Sequence, residues 1–252
     1  TNATHHGFFV EKGGKIIMRD SMITTTNASE GFLFFSNGSV EIRRCRIESI
    51  YDYTVGLKWM GGFRIYSDNP VIEDSIFIRA SGYAIRFEGC ENVLFANNIV
   101  TQASTAIHMN RSTGVLRGNW FQNNSDRQVA IYDCDGVEFT DNVINRSGMG
   151  AFVVVRVKNL DARNNTYDGP FYVIYATGTT AEFVGENVTG DQIQVEGREN
   201  SKLSFLDCSL DLEKIQVKSG SEITVRRIVE LRVLSGEKPV ANAIITVKDA
   251  QG

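Results

Sequence analysis

The fold is decided by four short segments that repeat one pattern: VLFANNIV (93–100), GVLRGNWF (114–121), VEFTDNVI (137–144) and LDARNNTY (160–167). Each segment alternates apolar residues, bends at a small polar residue and then resumes with an apolar residue. The polar position holds Asn98, Asn119, Asn142 and Asn165, which follow one another at spacings of 21, 23 and 23 residues. This alternation predicts short β-strands that each bury one face.

The same pattern extends from these segments in both directions. Its polar position is also occupied by Ser21, Cys45, Ser75, Glu186 and Cys208. A second apolar segment keeps the same period, as in FLFF (32–35), GLKW (56–59), AIRF (84–87) and KIQV (214–217). Strands this short cannot bury their faces alone, so each repeat must stack on the next. We therefore predict an all-β fold, a right-handed parallel β-helix of about nine to ten coils over residues 1–225, followed by a short β segment.

A two-sheet sandwich is the competing interpretation of the same strands. It would place turns every 8–12 residues or so and would not keep one polar position aligned over many repeats. In the β-helix, by contrast, neighbouring coils are about 4.8 Å apart, so nine coils give a rod of roughly 40 Å. The asparagines at 98, 119, 142 and 165 should then stack as a hydrogen-bonded ladder with a structural role.

The repeat resembles that of the right-handed parallel β-helix proteins over roughly residues 8–225. This broad group contains pectate lyases, polygalacturonases, tailspikes, NosD-type periplasmic proteins and many archaeal surface proteins. The resemblance implies the fold but not an activity, because the fold serves enzymes and inert rods alike.

Residues 226–252 differ from the repeat and are predicted to be a linker with β-strands. The segment GEKPVANAIITVKDAQG (236–252) resembles the start of an Ig-like, carboxypeptidase-regulatory-type sandwich. It is too short to close such a sandwich, and open β-helix ends invite further strands. We therefore expect self-association or neighbouring surface-protein domains at the ends of the rod.

Composition excludes several classes of function. The net charge is −4 and the basic residues are scattered, which argues against a nucleic-acid partner. The apolar runs are only a few residues long, so no membrane span is predicted in this chain. No cofactor and no metal site are predicted; the alternative is copper or zinc binding by the pair His5 and His6.

The four cysteines are predicted to be free thiols. Cys45 and Cys208 share a column but lie seven coils apart, whereas Cys90 and Cys134 are about two coils apart. Two coils correspond to roughly 9–10 Å, which exceeds the reach of a disulfide. We expect no disulfide, and we expect Cys45 and Cys208 to be buried as small apolar residues.

Asn-x-Ser/Thr sequons are more frequent than the composition predicts. They begin at Asn2, Asn27, Asn37, Asn110, Asn123, Asn145, Asn164 and Asn187. With 19 Asn and 35 Ser or Thr in 252 residues, about 2.6 sequons would arise by chance. None of the ladder asparagines begins a sequon, whereas Asn164, beside Asn165 and expected to point outward, does. We predict N-glycosylation and an extracellular or cell-surface location, most consistent with an archaeal envelope.

An outward column on the second strand is the candidate site for chemistry. It contains Arg86, His108 and Tyr132 on successive coils, a basic and aromatic stripe suited to an acidic polysaccharide. An insertion at about 60–69 is expected to form one wall beside it. Only two of the catalytic motifs of polygalacturonase-like hydrolases are found, each alone, at 124–126 and 156–158. The spacing of Asp20, Glu73 and Asp74 does not indicate which of them would form a catalytic carboxylate pair.

Acidic residues give no clear calcium site either. The nearest approximation to one is the set Asp133, Asp135, Glu138 and Asp141, in which Asp133 is expected to face inward.

The sequence thus favours a non-catalytic, N-glycosylated structural β-helix module, such as an envelope lattice unit, filament or adhesive rod. The alternative is a polysaccharide-binding or polysaccharide-cleaving β-helix, a lyase or glycoside hydrolase if it is an enzyme.

Overall fold

The computed structural model describes residues 8–26, 34–50, 62–80, 82–228, 234–235 and 238–239. Within these ranges the strands between Phe8 and Arg226 pair only in parallel. A sandwich built from hairpins would contain antiparallel pairs. The predicted parallel β-helix is therefore confirmed, and the sandwich interpretation is excluded.

Three parallel sheets, which we name A, B and C, form the faces of the rod. Sheet A contains β1 (Phe8–Val10), β4 (Phe34–Ser36), β7 (Phe63–Ile65), β10 (Tyr83–Glu88), β13 (Thr105–Asn110), β16 (Arg127–Tyr132), β19 (Gly150–Val155), β22 (Tyr172–Thr177), β25 (Ile193–Arg198) and β27 (Ile215–Val217). Sheet B contains β2 (Lys15–Arg19), β5 (Ser39–Arg43), β8 (Val71–Glu73), β11 (Val93–Ala96), β14 (Gly114–Arg117), β17 (Val137–Thr140), β20 (Leu160–Arg163), β23 (Thr180–Val184), β26 (Lys202–Leu206) and β28 (Glu222–Arg226). Sheet C contains β3 (Met22–Thr26), β6 (Arg46–Ile50), β9 (Ile76–Ile78), β12 (Ile99–Thr101), β15 (Trp120–Asn124), β18 (Val143–Ser147), β21 (Thr166–Gly169) and β24 (Asn187–Gly190).

The chain passes through sheets A, B and C eight times in that order. Two further turns then contribute strands to sheets A and B only, with a single-turn 3-10 helix at Leu212–Lys214 before β27. Eight three-stranded coils and two partial ones agree with the predicted nine to ten.

A single residue in the left-handed backbone region makes the corner between sheets B and C. In five successive coils this residue is Asp74 (φ 53°), Asn97 (φ 55°), Gly118 (φ 63°), Asp141 (φ 56°) and Asn164 (φ 56°). Glycine adopts this conformation freely, and Asn and Asp tolerate it better than most residues. The recurrence of Asn, Asp and Gly before the ladder position is thus a backbone requirement of the corner.

The residue after the corner points into the rod and forms the asparagine ladder, Asn98, Asn119, Asn142 and Asn165. In each step the backbone N–H of one asparagine donates to Oδ1 of the next, at 2.9, 3.0 and 2.8 Å. The side-chain Nδ2 donates to the same oxygen at 3.2, 2.9 and 3.0 Å. All four residues are at most 1% exposed. The ladder therefore satisfies the polar groups of a tight corner inside an apolar core.

A second polar column, which the repeat pattern did not predict, lies at the corner between sheets A and B. The backbone N–H of Cys90 donates to Ser112 Oγ at 2.9 Å, and that of Ser112 to Cys134 Sγ at 3.3 Å. Further along, Thr179 N donates to Ser201 Oγ at 3.2 Å. The hydroxyl and thiol side chains here accept hydrogen bonds from backbone N–H groups at the corner, as the amides of the ladder do.

The interior between the sheets is filled by stacked aromatic and aliphatic side chains. The largest fully buried residues include Phe95, Phe121, Phe139, Phe183 and Phe205. Rings in consecutive coils lie over one another, with centroids 6.4 Å apart for Phe95–Phe121 and 4.6 Å for Phe183–Phe205. Offset stacking of this kind adds to the stabilisation that burial provides.

One strand lies in a different place from the sequence prediction. The sequence predicts the third strand of sheet A at 56–59, but this strand is β7. Phe63 of β7 pairs with Phe34 on one side and with Ile85 on the other. Residues 51–61, including Lys58, lie outside the described residues. The predicted wall at 60–69 is therefore wrong for residues 62–69, because they form β7 and the corner that follows it.

Beyond the last coil, two short strands pair in antiparallel fashion, β29 (Leu234–Ser235) with β30 (Lys238–Pro239). The remaining residues from 229 onward lie outside the described part of the chain. The boundary at residue 225 and the Ig-like character of residues 226–252 stay predictions.

Candidate functional site

The outward face of sheet A carries a dense group of aromatic, basic and acidic side chains. We call it the sheet A cluster; it consists of Arg64, Tyr66, Tyr83, Arg86, Glu88, His108, Asn110, Arg127 and Tyr132. These residues come from β7, β10, β13 and β16 and from the corner after β7. Parallel pairing places equivalent residues of these strands directly over one another.

The register brings Arg86 and His108 together but moves Tyr132 to the next column. Arg86 pairs with Arg64 and His108, and His108 pairs with Ala130. Tyr132 pairs with Asn110, so its predicted place in the column of Arg86 and His108 is wrong. The repeat at this point is 22 residues long rather than 24. Because strand residues alternate between faces, a shift of two positions still leaves Tyr132 on the outward face.

Side-chain stacking nevertheless joins the two columns. The ring centroid of His108 lies 4.7 Å from that of Tyr83 and 5.1 Å from that of Tyr132. The guanidinium of Arg86 lies over the Tyr83 ring at 5.4 Å, within the range of a cation–π contact. Arg127 donates to the Tyr132 hydroxyl at 2.6 Å. The result is an aromatic platform bordered by arginines.

Glu88 is the carboxylate at the centre of the sheet A cluster, and three side chains bind it. Arg86 donates to Oε1 at 2.7 Å, Asn110 to Oε1 at 3.1 Å and Arg64 to Oε2 at 3.3 Å. Burial alone would raise the pKa of Glu88, but the hydrogen bonds from Arg86 and Asn110 outweigh it and hold the pKa below its usual value. The carboxylate is therefore ionised at neutral pH, and the two arginines balance its charge.

His108 is neutral at physiological pH. Burial and the positive charge of Arg86 lower its pKa to about 4. Its Nδ1 is buried and has no hydrogen-bond partner among the described residues. Burial also raises the pKa of Tyr132. The rings of His108 and Tyr132 are thus uncharged, and the positive charge around the platform comes from the arginines at its border.

A cavity of about 240 Å³ adjoins the platform and is lined by Tyr66, Glu88, Gly89, Asn110 and Arg111. It combines an aromatic ring with amide, carboxylate and guanidinium groups. Such a combination suits a ligand that has apolar faces and several hydroxyl or carboxylate groups.

Sequence reasoning identified some residues of the sheet A cluster and missed others. Arg64 was missed because its strand was predicted at 56–59. Tyr83 and Arg127 begin their strands, and no pattern signalled their contacts with His108 and Tyr132. Only the spacing of aromatic residues on the outward positions could have indicated this stacking.

The structure separates the sequon asparagines into exposed and half-buried positions. The side chains of Asn37, Asn123, Asn164 and Asn187 are exposed, and those of Asn110 and Asn145 are half-buried. The amide Nδ2 of Asn110 is bound to Glu88, and Oδ1 of Asn145 is buried without a hydrogen-bond partner among the described residues. Asn2 and Asn27 lie outside the described residues, as do His5 and His6.

The four cysteines are buried free thiols. Burial raises the pKa of Cys90 to about 12 and that of Cys134 to about 11. Both residues belong to the polar column between sheets A and B, with Ser112 between them. Thiols with pKa values this high carry little thiolate and are poor nucleophiles.

The acidic residues considered for calcium do not converge. Asp133 does not face inward as predicted: its φ of 52° places it at the corner between sheets A and B, where Arg156 binds both carboxylate oxygens at 2.5 and 2.8 Å. Glu138 lies on sheet B and Asp141 at the next corner. Within the described ranges, no group of three or more His, Cys, Asp or Glu side chains is placed to hold a metal ion.

Comparison with a family model supports the fold. Residues 1–114 match the family model described as the right-handed beta helix region. No curated protein matches the chain. Among solved structures, a trypsin-treated form of QnrB1, a plasmid-mediated fluoroquinolone resistance protein, is similar at 11% identity and a TM-score of 0.21, covering 86% of this chain and 92% of that one. The family match and the parallel coils together support a right-handed β-helix repeat. No helix in the described residues is long and apolar enough to cross a membrane.

Proposed function

We propose that this chain is a non-catalytic, N-glycosylated β-helix module of a cell-surface or extracellular protein. The observation that carries the proposal is the separation of its asparagines by role. The asparagines of the ladder are buried and begin no sequon, whereas four of the six sequon asparagines in the described residues are exposed. Glycan acceptors must be accessible, so this separation supports an outer surface that carries glycans.

The contacts of the sheet A cluster support a structural role over catalysis. Glu88 is ionised and held by two arginines and an amide, so it is unsuited to donate a proton. His108 has a pKa of about 4, which makes it a weak base at neutral pH. As a module of an envelope lattice, filament or adhesive rod, the chain would contact further copies or neighbouring surface domains. Residues 226–252, as a linker with β-strands that resemble the start of an Ig-like domain, are part of the same proposal.

The proposal is tested on protein isolated from its natural source. Peptide mapping by mass spectrometry should find glycan on the peptide that contains Asn164. Treatment of intact cells with a protease or a membrane-impermeant biotin reagent should modify the protein. Native material without glycan on any sequon, or fully protected in intact cells, would contradict the proposal.

Polysaccharide binding is a second candidate function, and the stacked rings of Tyr83, His108 and Tyr132 favour it specifically. Sugar rings pack on aromatic side chains, and the planar guanidinium of Arg86 or Arg127 matches the geometry of a sugar carboxylate. The sheet A cluster supports binding rather than cleavage, because Glu88 is ionised and His108 is neutral at physiological pH, so neither can act as the general acid that hydrolysis requires.

If the sheet A cluster binds an acidic polysaccharide, Arg86→Ala should weaken binding about tenfold, as expected for loss of roughly 1.4 kcal/mol. Calorimetry with polygalacturonate and with a neutral glucan measures this effect. Arg117→Ala is the matched control, because Arg117 is exposed on sheet B and the same charge is lost there. Equal affinity of the Arg86→Ala and Arg117→Ala variants would rule out the sheet A cluster as the site.

A further inference from the structure

The sequons differ in how accessible they are in the folded chain. The difference concerns both the asparagine and the hydroxyl residue that define a sequon. We infer that the folded chain closes the sequon at Asn110 and leaves those at Asn37, Asn123, Asn164 and Asn187 open. Glycans would then avoid the outward face of sheet A. This inference rests on the proposed glycosylation and specifies where on the rod it occurs.

The acceptor amide of Asn110 is already committed to the sheet A cluster. Its Nδ2 donates to Glu88 Oε1 at 3.1 Å, and Glu88 in turn is bound by Arg86 and Arg64. Nδ2 carries a second N–H, but a sugar bonded to this nitrogen would have to fit beside the ion-paired group around Glu88, and a clash would displace that group. Because Glu88 is mostly buried, with 14% of its side chain exposed, the displaced carboxylate would lose partners that solvent replaces only in part.

The hydroxyl of the same sequon is closed independently. Ser112 is 1% exposed, and its Oγ donates to the carbonyl oxygen of Asn110 at 2.9 Å. The same Oγ accepts from the backbone N–H of Cys90 at 2.9 Å. A glycosyl transferase must contact this hydroxyl to recognise the sequon. In the folded chain the hydroxyl lies inside the polar column between sheets A and B.

Three of the four open sequons expose both of their defining residues, and the fourth exposes its asparagine and leaves Thr166 partly accessible. Their asparagines are exposed, and the hydroxyl residues two positions later are exposed at Ser39, Ser125 and Thr189 and half-exposed at Thr166. Asn123 and Asn187 lie in β15 and β24 of sheet C, and Asn164 lies at the corner between sheets B and C. Asn37 follows the end of β4 at the corner between sheets A and B.

The transfer itself requires an accessible amide. Nδ2 forms a bond to the anomeric carbon of an oligosaccharide, the bond from that carbon to a lipid pyrophosphate breaks, and one amide proton is released. At Asn164 the side chain is exposed, and the product can extend from the corner. At Asn110 the sugar would have to fit beside the sheet A cluster. Glycans on sheet C and at the two corners would leave the aromatic and basic face of sheet A free for contacts.

The experiment uses folded, glycan-free protein from a host that does not glycosylate. The protein is incubated with a single-subunit oligosaccharyltransferase and a lipid-linked oligosaccharide, and each sequon is quantified by peptide mapping. The same protein, denatured before the reaction, gives the maximal modification of every sequon. We expect Asn37, Asn123, Asn164 and Asn187 to react in the folded protein, and Asn110 to react at least tenfold less than it does after denaturation.

Two variants sharpen the result. Asn164→Gln should remove one glycan from the folded protein, whereas Asn110→Gln should leave the modification of the four open sites unchanged. Modification of Asn110 as readily as Asn164 in the folded wild-type protein would overturn the inference, as would failure of the four open sites to react. Absence of glycan from native material, with selective transfer in this assay, would instead reject the proposed function and retain the inference about accessibility.

Discussion

Alanine in place of Asn142 is expected to lower the free energy of unfolding by about 3–5 kcal/mol. Oδ1 of Asn142 accepts from N and Nδ2 of Asn119 at 3.0 and 2.9 Å. Its Nδ2 donates to the Leu116 carbonyl at 2.9 Å and to Asn165 Oδ1 at 3.0 Å. All four bonds are lost in the variant. The partner groups stay buried, and each unsatisfied group is penalised by about 1–3 kcal/mol.

Asn164→Gly is the matched control for this prediction. Asn164 lies at the adjacent corner, is exposed and has a φ of 56°. Glycine occupies the same corner in other coils, as Gly118 and Gly185, so the change should lower stability by less than about 1 kcal/mol. Urea unfolding of glycan-free protein, followed by far-UV circular dichroism, measures both effects. Similar losses in the two variants would mean that the ladder stabilises the rod no more than any other corner residue.

The architecture could be predicted from the sequence because one position of the repeat is restricted chemically. A tight corner inside an apolar core needs a side chain that both donates and accepts hydrogen bonds. The recurrence of Asn98, Asn119 and Asn142 at near-constant spacing indicates such a corner. The second corner was not predicted because it accepts hydroxyls and thiols of different residue types. Ser112 and Cys134 do the same work there, but no single residue type repeats.

The candidate site was predicted only in part, for two physical reasons. Irregular spacing before β7 concealed Arg64, since a repeat of variable length gives no register until the strands are paired. The contacts of the sheet A cluster also join neighbouring columns, as in the stacking of His108 on Tyr132. Side-chain convergence of this kind depends on rotamers and on the corners, neither of which a repeat pattern specifies.

Glu186 is expected to make the stability of the rod depend on pH. It occupies the ladder position after Asn165 and accepts from the Asn165 backbone N–H at 3.0 Å and from its Nδ2 at 3.2 Å. Burial outweighs these hydrogen bonds and raises the pKa of Glu186 from 4.5 to about 8. Nearby Asp141 adds to the shift, and the buried hydroxyl of Tyr167 lies close by.

The sign of the effect follows from proton uptake. Between pH 4.5 and about 8 the folded chain keeps the proton of Glu186 while the unfolded chain releases it. The stabilisation is therefore complete below pH 4.5, decreases as the pH rises and is lost above about pH 8, a total of roughly 5 kcal/mol. Carboxylates paired with arginine, such as Asp133, have lowered pKa values and act in the opposite sense, at acidic pH.

Glu186→Gln separates this contribution from the others, because glutamine keeps an oxygen acceptor at the ladder and has no proton to lose. The variant should match the wild-type protein at pH 5 within about 1 kcal/mol and exceed it by several kcal/mol at pH 9. Glu182→Gln removes an exposed carboxylate of the same coil and should leave the pH profile of the free energy of unfolding unchanged. The N–H groups of the ladder point toward Glu186 and could stabilise its carboxylate. If they stabilised it fully, the free energies of unfolding of the wild type and of Glu186→Gln would change with pH in parallel. That result would mean that the four amides outweigh burial and that Glu186 is ionised inside the rod.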